Sequence, residues 1–157
     1  MIEMNNRKSY KPHLKIYCLH YKECDPKKCT ALKLKKFKLL RIIASIRNSL
    51  KNAIVLNPFS QTELTADDKV LILKYGLIVL DCSWKNVLKL RNFKWTNGRR
   101  LPPLIAANPV NYGKWEKLSS AEAIAAALFI TKFEKEANLI LSKFSWGKEF
   151  IKINNLK

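Results

Sequence analysis

Three short apolar runs constrain this 157-residue chain more than any other feature. They are Ala53–Leu56 (AIVL), Leu77–Leu80 (LIVL) and Leu104–Ala107 (LIAA). Each is short for a helix and stops at turn-forming or polar residues: Asn57-Pro58, Asp81-Cys82-Ser83 and Asn108-Pro109. Such runs read as buried strands of a sheet covered on both faces. Leu14–His20 (LKIYCLH), with Ile16, Tyr17 and Cys18, alternates roughly as a fourth strand.

Helix signals lie between these strands. Thr65-Ala66-Asp67-Asp68 resembles a capping box with acids in the first turn, and Gly76 follows Tyr75 as a C-terminal stop. Ser119 and Glu122 have the S-x-x-E spacing, and the Ala121–Thr131 helix behind them is apolar on most sides, so it should be buried. Lys27–Lys36 reads as a basic helix with Asp25 as its N-cap and Pro26 at its first position. Trp84–Leu90, Glu134–Lys143 and Trp146–Ile153 read as further helical segments, Phe37–Ile46 is ambiguous, and Arg91–Arg100 reads as a loop. Alternating strands and helices predict an α/β fold with a largely parallel sheet. Ligands in such sheets bind beyond the carboxyl ends of the strands, which here are Asn57-Pro58, Asp81–Trp84 and Asn108–Gly113.

The charge points to a polyanionic partner. Thirty Lys and Arg face twelve Asp and Glu, a formal charge of +18. Residues 1–51 hold fourteen of the bases and three acids, too few to form an ion-paired surface. A field of this sign attracts nucleic acid. No segment reaches the length of about 20 apolar residues that spans a bilayer. The start, MIEMNNRKSYKPH, lacks an apolar signal region, so the expected location is the cytoplasm, with no membrane partner. Cys18, Cys24, Cys29 and Cys82 do not have paired zinc-ligand spacing, so reduced thiols are expected ahead of zinc or a disulfide, and no metal is assigned.

Five stretches resemble the ribosomal RNA aminocarboxypropyltransferase family of archaea and eukaryotes. They are CDPKKCTALKL (Cys24–Leu34), VLNP (Val55–Pro58), LIVLDCSW (Leu77–Trp84), LPPLIAANPVNYGKWEKLSSAEAIAAAL (Leu101–Leu128) and FSWGKEFIKIN (Phe144–Asn154). The resemblance implies a fold related to the knotted SPOUT class. Residues 1–75 would form a small basic α/β lobe that binds RNA. Residues 76–157 would form a SPOUT-like parallel-sheet domain holding the cofactor in a trefoil knot. The implied reaction moves the 3-amino-3-carboxypropyl group of S-adenosylmethionine to N3 of a plain or modified pseudouridine in small-subunit rRNA, releasing methylthioadenosine. The chain has Thr30-Ala31 where many relatives have Ser-Gly; threonine keeps the hydroxyl. It lacks the acidic C-terminal run of eukaryotic members, which favours a minimal archaeal-like version. A SPOUT-class rRNA methyltransferase and a non-catalytic rRNA-binding assembly factor remain as alternatives.

Asp81 is the acid at a strand end, expected either to hold the amino group of the cofactor's arm or to accept the acceptor's proton; capping the next helix is its structural alternative. The resemblance makes Trp84 a cofactor-pocket indole, with core packing as the alternative. It also promotes Leu56, Pro58, Leu104, Leu118 and Ala123 to an apolar adenine slot and Leu80 to a backbone contact with the ribose. Thr30 and Ser120 are candidates for the carboxylate and amine of the arm, Ser120 lying at a helix N-terminus. Asn108, Asn111 and Tyr112 form either a cofactor loop or a structural turn. Trp146 and Gly147 are expected to fix the packing of the last helix. Lys27, Lys28, Lys33, Lys35, Lys36, Arg41 and Arg47 are expected to contact phosphates of small-subunit rRNA, and Arg99 and Arg100 to lie near the target base. His13 and His20 have no visible partner in the sequence. A monomer is expected.

Overall fold

The parallel sheet is present in the computed structural model, which describes residues 14–20, 25–81 and 95–157. Its strands are β1 (Ile16–His20), β2 (Arg41–Ile43), β3 (Ile54–Leu56), β4 (Leu77–Asp81) and β5 (Gly98–Arg99). They lie in the order β2-β1-β4-β3-β5, and every pairing is parallel. β4 is central. Its register with β1 runs from Ile16 opposite Leu77 to His20 opposite Asp81, so these two strands end level.

Side-chain alternation sends the two faces of the sheet into different layers. Ile16, Cys18, Ile54, Leu56, Leu77 and Val79 join the main core with the helices. Leu19, Val55 and Ile78 join a smaller cluster on the other face, against Leu50 and Trp95. The helices are α1 (Thr30–Lys36), α2 (Lys69–Tyr75), α3 (Ser120–Ile130), α4 (Glu134–Leu141) and α5 (Gly147–Ile153), with 3-10 turns at Asn48–Leu50 and Ala66–Asp68. α3 is buried as its composition requires: Ile124, Ala125, Ala126, Ala127 and Leu128 are wholly inaccessible. It packs on β4, α1 and α4, and its small alanines allow the close approach. Ser119 and Glu122 form the expected capping box, and so do Thr65 and Asp68.

Four expectations from the sequence are corrected. The basic helix starts at Thr30, with Cys29 as N-cap, not at Lys27. Asp25 instead closes a turn: its Oδ1 accepts from the Lys27 N–H at 3.0 Å, and its carbonyl from the Lys28 N–H at 2.9 Å. That local bonding competes with helix initiation. Leu104–Ala107 is not a sheet strand. Its backbone is satisfied by a tight return of the chain, with the Glu116 N–H donating to the Leu104 carbonyl and the Gly113 N–H to that of Ala106. Asn154, in the C-terminal FSWGKEFIKIN stretch, supplies the rest: its Oδ1 accepts from the Ile105 N–H at 2.8 Å and its Nδ2 donates to the Ile105 carbonyl at 2.9 Å. The run, buried except for half-buried Ile105, thus keeps a single antiparallel bridge, Ile105 to Trp115, and no neighbour in the sheet. Within the Arg91–Arg100 loop, Gly98-Arg99 pairs in parallel with β3. The ambiguous Phe37–Ile46 stretch contains edge strand β2. The expected Trp84–Leu90 helix lies outside the described residues.

Candidate active site

The carboxyl ends of β3 and β4 open onto a cleft of about 1300 Å³. Leu56, Pro58, Leu80, Asp81, Leu104, Leu118, Ser120, Ala123 and Thr30 all line it. Every candidate named for the adenine slot, the ribose and the arm is therefore brought to one place, except Trp84, which lies outside the described residues; Tyr112 does not line the cleft. Leu56 and Leu104 are buried, and Leu118 and Ala123 half-buried, which forms an apolar slot. Asp81, Ser120 and Thr30 add polar groups to the same lining.

Asp81 is held from three sides. The Ser120 hydroxyl donates to its Oδ1 at 3.2 Å, the Cys29 thiol donates to its Oδ2 at 3.3 Å, and His20 Nε2 lies 3.1 Å from the same Oδ2. His20 Nε2 and Cys29 Sγ are themselves 3.8 Å apart. The Asp81 and His20 side chains are only 14% and 9% exposed, so the carboxylate is largely withdrawn from water with its donors in place. The geometry follows from the fold. His20 and Asp81 are partners at the ends of adjacent strands, Cys29 caps α1, and Ser120 begins α3. Thr30 joins the two helices, because its Oγ1 accepts from the Ala121 N–H at 3.0 Å.

His20 and Cys29 are functional candidates that the sequence did not single out. Their signal was topological: only the parallel β1/β4 register places His20 beside Asp81. His20, Cys29 and Asp81 also offer nitrogen, sulfur and oxygen donors within 4.8 Å of one another, a set chemically able to hold a metal; here hydrogen bonds join Cys29 to Asp81.

The Asn108–Gly113 loop is fixed by buried polar groups. Glu122, wholly inaccessible, accepts from the Ala107 N–H at 2.7 Å, from Asn108 Nδ2 at 2.5 Å and from the Ser119 N–H at 3.0 Å. Asn108 Oδ1 accepts from the Asn111 N–H at 3.0 Å. Asn108 and Asn111 also line the cleft, so this turn holds one of its walls. Tyr112 is exposed, its hydroxyl donating to Glu149 Oε1 at 3.3 Å. Trp146 stacks on Phe144 at 4.8 Å, and Gly147 packs against the Leu141 carbonyl group, as expected of residues that seat the last helix.

Among the basic candidates, Lys27, Lys28, Lys33, Lys36 and Arg100 line the cleft. Lys35 is exposed on α1, Arg41 is exposed on edge strand β2, and Arg47 borders a separate hollow. Arg99 is engaged within the fold, its Nε 3.2 Å from each Asp68 carboxylate oxygen. Arg100 Nη1 donates to the carbonyls of Ser60 and Gln61.

Comparisons with known proteins place the chain among rRNA-modifying relatives. Residues 54–157 match a family described as ribosome biogenesis protein, C-terminal. Residues 14–45 match one described as possible Fer4-like domain in RNase L inhibitor. The 16S rRNA aminocarboxypropyltransferase of Methanocaldococcus jannaschii is 43% identical over 141 residues, which cover 89% of this chain and 82% of that one. The Methanosphaera stadtmanae protein of the same name is 48% identical over 143 residues, 90% and 84% of the two chains. The solved structure of the SAM-dependent rRNA:acp-transferase Tsr3 from Vulcanisaeta distributa superposes with a TM-score of 0.85 at 40% identity, covering 90% of this chain and 79% of that one.

Proposed function

This chain belongs to the 16S rRNA aminocarboxypropyltransferase family, and from that premise we propose how its cleft performs the family's reaction. The protein is an enzyme that transfers the aminocarboxypropyl group of S-adenosylmethionine to ribosomal RNA. The observation that carries the site assignment is the convergence, in one cleft, of an apolar slot with the Asp81, Ser120 and Thr30 group. An adenine ring suits the slot, and an amino-acid arm suits the polar end.

S-adenosylmethionine supplies an electrophilic carbon next to a sulfonium leaving group. The acceptor, proposed as N3 of a pseudouridine, forms the new N–C bond. The C–S bonding pair departs on sulfur as methylthioadenosine, and the N3 proton passes to a base or to water. The protein must select one of three S–C bonds, a task of orientation. Asp81 grips the ammonium of the arm and so aims the correct carbon. Its three neighbours fix the carboxylate for that contact. Ser120, at the start of α3, and Thr30, at the start of α1 and bonded to the Ala121 N–H, hold the arm as well, the N–H groups of α3 favouring its carboxylate. Leu80 offers backbone to the ribose, and Trp84 packs near the adenine or the sulfonium.

In this reading residues 1–75 supply most of the RNA contacts and residues 76–157 most of the cofactor contacts, although strands from both segments share one sheet. A trefoil knot in the C-terminal half belongs to the same reading. Lys27, Lys28, Lys33, Lys36 and Arg100 meet phosphates at the cleft, Lys35, Arg41 and Arg47 extend that path, and Arg99 contributes by fixing the loop beside Arg100. The enzyme acts as a cytoplasmic monomer on small-subunit rRNA. No helix among the described residues is long and apolar enough to cross a membrane.

The by-product tests the reading. Incubation with cofactor and small-subunit rRNA should release methylthioadenosine. Release of S-adenosylhomocysteine would make the protein a methyltransferase, and release of neither would leave an RNA-binding factor.

A further inference from the structure

The cleft is larger than one cofactor requires. Pockets for single small molecules run to about 300–1,000 Å³, and this one measures about 1300 Å³. The slot that suits the cofactor occupies its floor, at the strand ends. The rest of the lining includes a different kind of wall, made by the end of α1 and the turn between α4 and α5. Phe37, the C-cap of α1, is 48% exposed although it is a large apolar side chain. Lys143 Nζ sits 4.7 Å from the centre of its ring. Beside it in the same lining are the stacked rings of Phe144 and Trp146, with Lys33 Nζ 4.8 Å from the centre of the Phe144 ring. Lys36 lines the cleft here too.

Aromatic faces interleaved with lysines are the surface chemistry that binds single-stranded RNA. Bases stack on the rings, and ammonium groups meet the phosphates. The reaction itself requires an unpaired base, because N3 of a paired uracil-type base is buried in the base pair. An enzyme acting there must take the nucleotide out of its helix and hold it by its face.

We propose that this wall is the acceptor subsite, where one unstacked pyrimidine-type nucleotide of the rRNA lays its ring on Phe37 while Lys33 and Lys36 take its flanking phosphates. The Phe144–Trp146 pair forms the back of that wall. The subsite turns the Watson–Crick edge of the base toward Asp81 and the cofactor arm. The proposal rests on the aminocarboxypropyl-transfer reading and adds the surface that presents the acceptor.

The test compares the full-length protein with Phe37→Ala and Phe37→Trp. Phe37 is half-exposed, so its loss should spare the fold; equal thermal unfolding temperatures verify this. Loss of one stacking ring should raise KM for an rRNA fragment about 5- to 100-fold. Phe37→Trp, which keeps a stacking face, should stay near wild type. Affinity for S-adenosylmethionine, measured by calorimetry without RNA, should change less than twofold in both variants. Cross-linking with 4-thiouridine-substituted rRNA should recover the peptide that contains Phe37. An unchanged KM for RNA in Phe37→Ala overturns the proposal, as does a loss of cofactor affinity equal to the loss for RNA. A dimer that dissociates on Phe37→Ala with RNA kinetics intact would give this wall to a second copy of the chain and overturn it too. Wild-type release of methylthioadenosine is scored separately, so failure of the enzymatic reading is not confused with failure of the subsite.

Discussion

At the scale of single residues, Asp81 and Glu122 show two uses of a withdrawn carboxylate. Asp81 faces the cleft with Ser120, Cys29 and His20 around it. As an ammonium partner it predicts that Asp81→Ala lowers both turnover and cofactor affinity. Loss of a hydrogen bond to a charged group, worth about 1.5–3 kcal/mol, corresponds to roughly a ten- to hundredfold weaker Kd by calorimetry. A loss of turnover with unchanged Kd would make Asp81 the proton acceptor instead. His20 acts through Asp81, so His20→Leu should weaken cofactor binding in the wild-type background and have little further effect in Asp81→Ala, a coupling that a double-mutant cycle measures. Additive effects would mean that His20 only packs. Glu122 instead accepts three N–H donors with two oxygens, at zero exposure. Glu122→Gln turns one acceptor into an NH2 group facing those donors. Thermal unfolding should show a loss of about 1–3 kcal/mol from unpaired buried groups; an unchanged Tm would contradict the account of the Asn108–Gly113 turn.

At the scale of elements, two glycines mark where the chain tolerates no side chain. Gly76 ends α2 at φ +100°, and a Cβ there would stand 2.7 Å from the Lys15 carbonyl oxygen. Gly147 opens α5 against the Leu141 carbonyl group, and an added Cβ would overlap that oxygen. Gly147→Ala should destabilise the protein by about 1–3 kcal/mol, the usual range for overpacking, read from the midpoint of urea unfolding. Cofactor affinity should fall less than stability does; the reverse would make FSWG a ligand contact. The elements that the sequence disclosed were those with local signals. AIVL and LIVL became β3 and β4, both capping boxes formed, and Gly76 stopped its helix. LIAA misled because burial alone does not specify a strand: Asn154, far along the chain, satisfies Ile105 in place of a neighbouring strand. Asp25-Pro26 misled because an Asx turn and an N-cap use the same side chain. The residues that line the candidate slot were named through family motifs, whereas His20 and Cys29 needed the strand register that only the fold supplies.

At the scale of the whole molecule, the proposed division of labour gives the charge of +18 the encounter with RNA and the cleft the chemistry. Lys33, Lys35 and Lys36 project from one short helix beside the cleft. Their simultaneous reversal to Glu should weaken rRNA binding and reduce the slope of log K against log salt by several units, since each phosphate contact releases counterions. Cofactor affinity should hardly move; equal loss of both ligands would show that α1 is needed for folding rather than for RNA. The central claim is that this cleft moves an aminocarboxypropyl group, and the most direct measurement is mass spectrometry of nucleosides from small-subunit rRNA incubated with the enzyme and S-adenosylmethionine. The account predicts a pseudouridine-type nucleoside that has gained the mass of one aminocarboxypropyl group, a product abolished or strongly reduced by Asp81→Ala. A nucleoside that has gained a methyl group, or rRNA left unmodified, would contradict it.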